Sequence, residues 1–269
     1  MSEHILVVNG SPRAQRGTTG IVVNQFLKGC HEAGATSEII EVARSELRFC
    51  AGELSCFFKT DNPVCRVHKR DQGAEFAEKW AKADRIVLAS PLHFNTVTAH
   101  LMRFLERLIC LSDPLYTEND GYPTHKGPYD SKPSAVIGVC AYPGISNFNL
   151  FKEVMLNYQK VFWLEPGGAL LVPMSRDLTV LNETNPRYAA LQEVMGSIAQ
   201  AGREFMTHNE IAMETEDSIS RDTDDLERLH SEFDGYFLKL NNQSKSQREE
   251  QPVTFADMPR EDSWISSGQ

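Results

Sequence analysis

No apolar run in the sequence approaches the roughly 20 residues needed to span a bilayer, so no transmembrane helix and no membrane partner are expected. The N-terminus is only a short strand-like run, without a basic segment leading into a long apolar one, and no secretion signal is expected. Cysteine is scarce, six residues in 269, which excludes a disulfide scaffold and points to a reducing, cytoplasmic compartment. The basic stripe of a nucleic-acid binder is missing as well. Two phosphate-binding signatures are absent: there is no Gly-Lys-Ser/Thr of a Walker loop and no Gly-x-Gly-x-x-Gly of a dinucleotide fold. No Ser/His/Asp or paired-carboxylate constellation is apparent, so no catalytic acid or base is assigned. No internal repeat is visible.

What is present is an ordinary globular composition, 41% hydrophobic and 24% charged, with an uneven charge distribution. Residues 209–269 hold 15 acidic and 6 basic residues, a net of −9, whereas the preceding residues hold 22 and 21, a net of −1. The body is nearly neutral and the tail carries the charge. Short apolar runs at 5–8, 37–42, 85–90, 134–141 and 169–173 read as strands, the first buried on both faces because the run is unbroken. Between them lie helical patterns at about 18–33, 72–83, 95–108 and 148–161. Asn95 or Thr96 is the expected cap of the third, and Asn185-Pro186 starts a last helix, with Leu191, Val194, Met195, Ile198 and Phe205 on its buried stripe. Five strands alternating with helices argue for a doubly wound α/β domain over 1–207. Residues 208–269 form an acidic extension. It holds one amphipathic helix at about 222–240 (Leu226, Leu229, Phe233, Phe237, Leu240), then a disordered or extended arm. The run from Glu214 to Glu227 is expected to be solvated. Residues 113–132 show no period and read as a long loop, a length often functional in compact domains.

Two turns carry the chemistry. Asn9-Gly10-Ser11-Pro12-Arg13 runs on to Gly17-Thr18-Thr19, and Ser90-Pro91-Leu92-His93-Phe94-Asn95 follows the third strand run. In an open parallel sheet, ligands sit beyond the carboxyl ends of the strands, where the strand order reverses. Ser11, Arg13, Thr18 and Thr19 supply hydroxyls and a guanidinium, Gly17 permits close backbone approach, and a helix start supplies amides, which together suit a phosphate. Taken alone, this stretch is equally an ordinary Gly-Ser-Pro turn and cap. Pro91, Leu92, His93, Phe94 and Asn95 suit a flat ring, with backbone N–H groups near Phe94 and Asn95 to meet ring oxygens; the bland alternative is a helix start with a core phenylalanine. Both turns at the ends of the first and third strands point to a mononucleotide with a planar head, with FMN as the expected one.

At these residues the chain resembles the NAD(P)H-dependent FMN reductase branch of the flavodoxin-like superfamily. The resemblance rests on G-S-P-R, G-T-T, E-A-G-A, a cysteine loop, A-D-R-I-V, S-P-L-H-F and L-x-R-F-L-E-R. It is dense over about the first 110 residues and looser to about Pro173. It implies a five-stranded parallel sheet in the order 2-1-3-4-5 and NAD(P)H as co-substrate. It further implies a small-molecule electron acceptor and homodimers or homotetramers. Ser11, Arg13, Thr18 and Thr19 would bind the phosphate, residues 91–95 would line the isoalloxazine, and the fourth-strand turn around Tyr142 and Gly144 would close the other side. Here Gln15 and Arg16 lengthen the phosphate turn, and His93 stands where the family often has Tyr.

The cysteine loop departs further. The family's iron–sulfur flavoproteins carry four cysteines, whereas Glu53 stands here among Cys50, Cys56 and Cys65. A [4Fe–4S] cluster normally takes four thiolates, and three thiolates plus His68 are a possible zinc set. No metal is the expectation, with the loop packing near a subunit interface. Cys30, Cys110 and Cys140 read as buried packers. His100, His125 and His208 are isolated and read as solvated or locally bonded. The expected function is an FMN-dependent NAD(P)H oxidoreductase passing electrons to a quinone, azo or nitro compound, metal ion or flavin, with the long loop favouring an enzyme. An electron-transfer flavoprotein without an NAD(P)H site, and a binding protein without flavin, are the competing classes.

Overall fold

The structure, a computed structural model, describes residues 2–58, 65, 67–119, 121–125, 127, 130–181, 183 and 187–221, and Ser231, Asp234, Gly235 and Leu238 beyond them. In chain order β1 (His4–Asn9) leads through a 3₁₀ turn (Ala14–Arg16) into α1 (Thr18–Glu32). Next come β2 (Thr36–Glu41), α2 (Gly73–Lys82), β3 (Arg85–Pro91), α3 (Ala99–Arg107) and the pair β4 (Tyr116–Asn119) and β5 (Tyr122–His125). The chain continues with β6 (Lys132–Val139), α4 (Asn149–Val161), β7 (Leu164–Val172), α5 (Tyr188–His208) and α6 (Met213–Ser220). Five strands form one parallel sheet in the order β2-β1-β3-β6-β7, the doubly wound flavodoxin-like arrangement expected from the sequence. No helix among the described residues is long and apolar enough to cross a membrane.

The period-two alternation of a strand explains the two cores. Leu6, Val8, Ile86 and Leu88 point to one face and pack with Trp80, Phe104 and Phe151 of α2, α3 and α4. Ile5, Val7, Val87 and Ala89 point to the other, against Val22 and Phe26 of α1 and Ile198 and Phe205 of α5. Because both faces are covered, the central strands have no polar face, which is why their runs read as unbroken.

Several local features differ from the sequence reading. Residues 113–132 are not an unstructured loop: β4 and β5 form an antiparallel hairpin, with Gly121 at φ 72° in its turn. The hairpin is held by the end of α4, whose last carbonyls lack intrahelical donors. Asn119 Nδ2 donates to the Lys160 carbonyl at 2.8 Å and Thr124 Oγ1 to that of Val161 at 3.1 Å. This is the side of the sheet where the strands begin, so the hairpin cannot roof a cleft where they end. The expected caps Asn95 and Thr96 are displaced by Thr98, whose hydroxyl accepts the Leu101 N–H at 3.3 Å. The acidic run beginning at Glu214 is not solvated throughout. In α6, Thr215 and Ile219 are buried, and Glu216 accepts the Ala169 N–H at 2.6 Å beside the β7 bulge at Gly168 (φ 123°). Burial raises the Glu216 carboxyl above its ordinary range although the Ala169 N–H opposes this. The helix so covers part of an edge strand that would otherwise be open to pairing. The expected helix start at Asn185-Pro186 and the arm at 241–269 lie outside the described residues. Of the segment 222–240 only the four residues named above are described, and those four are helical.

Asp71 ties the irregular stretch after β2 to the end of α3. Its carboxylate takes both Arg107 guanidinium nitrogens at 2.6 and 3.1 Å, the Arg48 N–H at 2.9 Å and the Gly73 N–H at 3.0 Å. Arg107 also donates to the Arg48 carbonyl at 2.9 Å. Both side chains are buried, and together with Glu46 and Gln72, whose N–H groups donate to the Gln72 side-chain carbonyl at 2.9 Å and to the Glu46 backbone carbonyl at 3.0 Å, the pair clamps the two ends of the cysteine loop.

Candidate functional site: a cleft beyond the carboxyl ends of β1, β3 and β6

The strand order reverses between β1 and β3, and the two turns that leave them are stitched together. Gly10 N–H donates to the Ala89 carbonyl at 2.8 Å, continuing the β1–β3 ladder into the turn. The Thr98 hydroxyl, which caps α3, donates to the Gly10 carbonyl at 2.6 Å, and the Thr98 N–H donates to Ser90 Oγ at 3.1 Å. A Cβ on Gly10 would lie 2.7 Å from Leu101 Cβ and 2.9 Å from Thr98 Oγ1, so the approach of the turns depends on this glycine. The turns after β6 and β7 join the same row. Leu92 N–H donates to the Val139 carbonyl at 2.9 Å, Ser175 N–H to that of Cys140 at 2.8 Å and Met174 N–H to that of Tyr142 at 3.2 Å.

At the β1 end the turn is built for an anion. Asn9, fully buried, accepts the Ser11 N–H at 3.0 Å, and Ser11 Oγ accepts the Arg13 N–H at 3.3 Å. The Ser11 hydroxyl therefore keeps its own hydrogen to donate. Gly17 caps α1 without a side-chain hydrogen bond, and the first turn of α1 has no acidic residue, so its amides and its positive dipole end lie open to an incoming anion. A Cβ on Gly17 would stand 3.0 Å from both Arg13 Cβ and Ser11 Oγ and would fill the cradle. Thr18 is half-buried and its Oγ1 lies 3.3 Å from Ser175 Oγ, while Thr19 is buried. These donors fit a phosphate.

At the β3 end the turn is apolar and tightly made. His93 N–H donates to the Thr96 carbonyl at 2.9 Å and Thr96 N–H to that of His93 at 3.1 Å, closing a two-residue turn. Phe94 (φ 51°) and Asn95 (φ 60°) are both left-handed within it. For a bulky residue such as Phe94 that conformation is strained, and strain of this kind clusters at ligand-binding segments. The Phe94 ring is 100% exposed at the apex and Tyr142, on the turn after β6, is 53% exposed. Pro91 and Leu92 are half-buried beneath them, and Gly144 (φ 95°) starts the short turn whose backbone Asn147 secures through the Pro143 and Gly144 carbonyls at 2.7 and 2.9 Å. Two aromatic side chains left in solvent beside an anion cradle fit a planar heterocycle. His100, at the start of α3, is held below its ordinary pKa by burial and then by Arg103 and His93.

Over residues 4–148 the chain matches the family of NADPH-dependent FMN reductases, just over half of its length. The chain belongs to that family. Among curated proteins, an iron–sulfur flavoprotein of Methanocaldococcus jannaschii is 32% identical over 103 residues, which cover 38% of this chain and 50% of that protein. A second, from Archaeoglobus fulgidus, is 26% identical over 100 residues, 37% of this chain and 43% of that protein. The chain thus spans about half the length of the curated relatives it matches. Among solved structures, an FMN-dependent NADH-azoreductase from Bacillus anthracis superposes with a TM-score of 0.55 at 14% identity, covering 76% of this chain and all of that one. An NAD(P)H:quinone oxidoreductase from Methanothermobacter marburgensis gives 0.53 at 15% identity, covering 77% and 98%. At such identities the structural likeness speaks for the fold.

The name of the curated relatives makes the cysteine loop a test of fit. Cys50, Cys56, Cys65 and the buried Cys110 of the turn after α3 share one region, where burial and then the neighbouring sulfurs raise the Cys56 thiol. Burial pushes Cys110 up to about 11. Among the described residues no three or more His, Cys, Asp or Glu side chains are gathered as a metal requires. The Glu53 carboxylate instead accepts the Ser55 N–H at 3.2 Å and the Ser55 hydroxyl. A four-thiolate cluster would have to draw the four cysteines together and deprotonate them, against the burial that raises Cys56 and Cys110.

The sequence reading missed Thr98 and Ser175, and it named Asn9 and Ser90 within the two turns without the bonds that they supply. Thr98 had a signal, a threonine immediately before the apolar stripe of α3, but Asn95 and Thr96 offered the same chemistry nearby.

Proposed function

We propose that the chain is an FMN-dependent oxidoreductase that takes reducing equivalents from NAD(P)H and passes them to a small acceptor, such as a quinone, an azo or nitro compound, a metal ion or free flavin. One observation carries this reading: the Thr98–Gly10 hydrogen bond fuses an anion cradle and an aromatic-edged turn into a single cleft at the β1/β3 switch point. When bound, FMN supplies the redox chemistry, accepting hydride from a reduced nicotinamide and releasing electrons to the acceptor. The chain's part is to bind and orient. Ser11, Arg13, Gly17, Thr18, Thr19 and the α1 amides hold the phosphate. Pro91, Leu92, His93, Phe94 and Asn95 would meet the ring from the turn after β3, and Tyr142 and Gly144 from the turn after β6. A homodimer or homotetramer that covers the exposed Phe94 and Tyr142 belongs to this reading, as does a cytoplasmic setting.

Replacing Arg13 with alanine is expected to weaken FMN binding roughly 10- to 100-fold, the loss of one charge-assisted contact to a phosphate. Fluorescence titration of FMN measures this, and unchanged affinity would place the phosphate elsewhere. The reaction is tested by following NAD(P)H oxidation by the FMN-loaded protein with a quinone or an azo dye. Acceptor-dependent turnover with ping-pong kinetics is expected. FMN binding without NAD(P)H oxidation would instead favour an electron carrier, the reading that the iron–sulfur flavoprotein relatives suggest.

A further inference from the structure

Three buried polar atoms, Asn9 Nδ2 and both carboxylate oxygens of Glu41, lack a hydrogen bond of full geometry at the ends of β1 and β2, where the anion turn begins. Asn9 and Glu41 are the last residues of β1 and β2 and stand opposite each other in the parallel register, so their side chains leave the sheet on the same face. The Asn9 carbonyl oxygen is already fixed by the Ser11 N–H, which turns the amide nitrogen away from the turn. Unpartnered buried groups are rare in native proteins, and three together ask for a function.

We propose that Glu41 is a positioning residue for the phosphate end of the cleft: through the Asn9 amide it steadies the turn at 10–17, and it takes up a proton from solvent when a phosphate monoester enters. The proposal rests on the FMN reading above. Burial raises the Glu41 carboxyl above its ordinary range; the Asn9 and Gln15 amides, near enough to favour its charged form without completing a hydrogen bond, and Arg44 offset this only in part. The 3₁₀ turn Val42–Arg44 that follows Glu41 packs against the 3₁₀ turn Ala14–Arg16, which brings Arg16 with Arg13 before it, and against α3, which brings His100, Arg103 and Glu106. Helix α1, with Lys28, His31 and Glu32, packs on β2 itself, and Arg103 donates to the Val42 carbonyl at 2.5 Å. A phosphate adds negative charge beside these groups and must raise the carboxyl further.

The sign follows from linkage. A carboxyl raised in the free protein, and raised more in the complex, makes binding strongest below its free-protein pKa. Affinity then falls as pH rises through the interval between the two values and is level above it. Removing the charge removes this fall. FMN dissociation constants from about pH 5 to about pH 9 are therefore compared for the wild type, Glu41→Gln and Glu41→Leu, with riboflavin as the ligand lacking a phosphate. Toward the acid end the FMN affinities of wild type and Glu41→Gln are expected to converge. At the alkaline end Glu41→Gln is expected to bind it about tenfold tighter, since one pKa unit of further shift is a factor of ten. Ionisation of the phosphate itself, near pH 6, is common to both proteins and cancels. Riboflavin should not distinguish them. Glu41→Leu, which sets no polar group beside the Asn9 amide, should bind FMN more weakly than Glu41→Gln throughout. Calorimetry of FMN binding in two buffers of different ionisation enthalpy reads net proton exchange, and the difference between wild type and Glu41→Gln, from which the phosphate's own ionisation cancels, reads uptake at Glu41. Equal pH profiles for wild type and Glu41→Gln, equal proton exchange in the two, or equal affinities of the Leu and Gln variants would overturn the proposal while FMN binding stands. No FMN binding at any pH would overturn the functional reading and this inference with it.

Discussion

Arg107→Met is expected to lower the stability of the fold by roughly 3–5 kcal/mol, because it leaves a buried carboxylate without its cation. The Asp71 and Arg107 side chains are 5% and 4% exposed, and the guanidinium meets the carboxylate with two nitrogens. Burial alone would raise the Asp71 carboxyl; the Arg107 hydrogen bonds, the Arg48 and Gly73 N–H groups and the Arg107 charge outweigh it and hold the pKa at about 2. A carboxylate depressed in this way stabilises the fold fully above its unfolded pKa near 4, and the contribution is lost as pH falls toward the folded value. Denaturant unfolding at neutral pH measures the first effect. Repeating it between about pH 4 and about pH 2 measures the second, and the acid-induced loss assigned to Asp71 should be absent from the variant. A variant as stable as the wild type would mean that the cysteine loop is not clamped by this pair.

Gly10→Val is expected to weaken FMN binding by about a hundredfold or more, equivalent to about 2.7 kcal/mol. The first carbon of the new side chain would already lie 2.7 Å from Leu101 Cβ and 2.9 Å from Thr98 Oγ1. The valine methyls need still more room, so α3 must move away from the β1 turn and the Thr98–Gly10 hydrogen bond must break. The anion end and the ring end of the cleft then part. Titration with FMN reads the effect, and circular dichroism shows whether the sheet survives. A folded variant with wild-type affinity would show that the two turns need not touch for the flavin to bind.

The fold was legible because its strands are buried on both faces. Runs such as Ile5 to Val8 and Arg85 to Ser90 have no polar face to confuse the period, and helices with clear stripes separate them. The positions of the two turns follow from that topology, which is why Ser11, Arg13, Phe94 and Asn95 are legible in the sequence as residues of strand-end turns. What the sequence hid was chemistry that depends on contact across the chain. Thr98 is an unremarked threonine until its hydroxyl is found on the Gly10 carbonyl. Glu41 reads as the end of a strand until Asn9 is seen opposite it in register. The β4–β5 hairpin had a local signal, the Asp-Gly pair at 120–121, but its flanking strands are only four residues long and lack an apolar alternation. The docking of α6 was hidden for another reason. Its acidic residues suggest solvent, and only the irregularity of β7 at Gly168 creates the backbone donor that draws Glu216 in.

The most direct measurement compares FMN with riboflavin as ligands of the purified chain, by flavin fluorescence and visible absorption. A single cleft that grips a phosphate at one end and a flat ring at the other predicts stoichiometric FMN binding, with riboflavin bound at least about tenfold more weakly for want of its charge-assisted contacts. Equal affinity for the two flavins, or binding of neither, would contradict it.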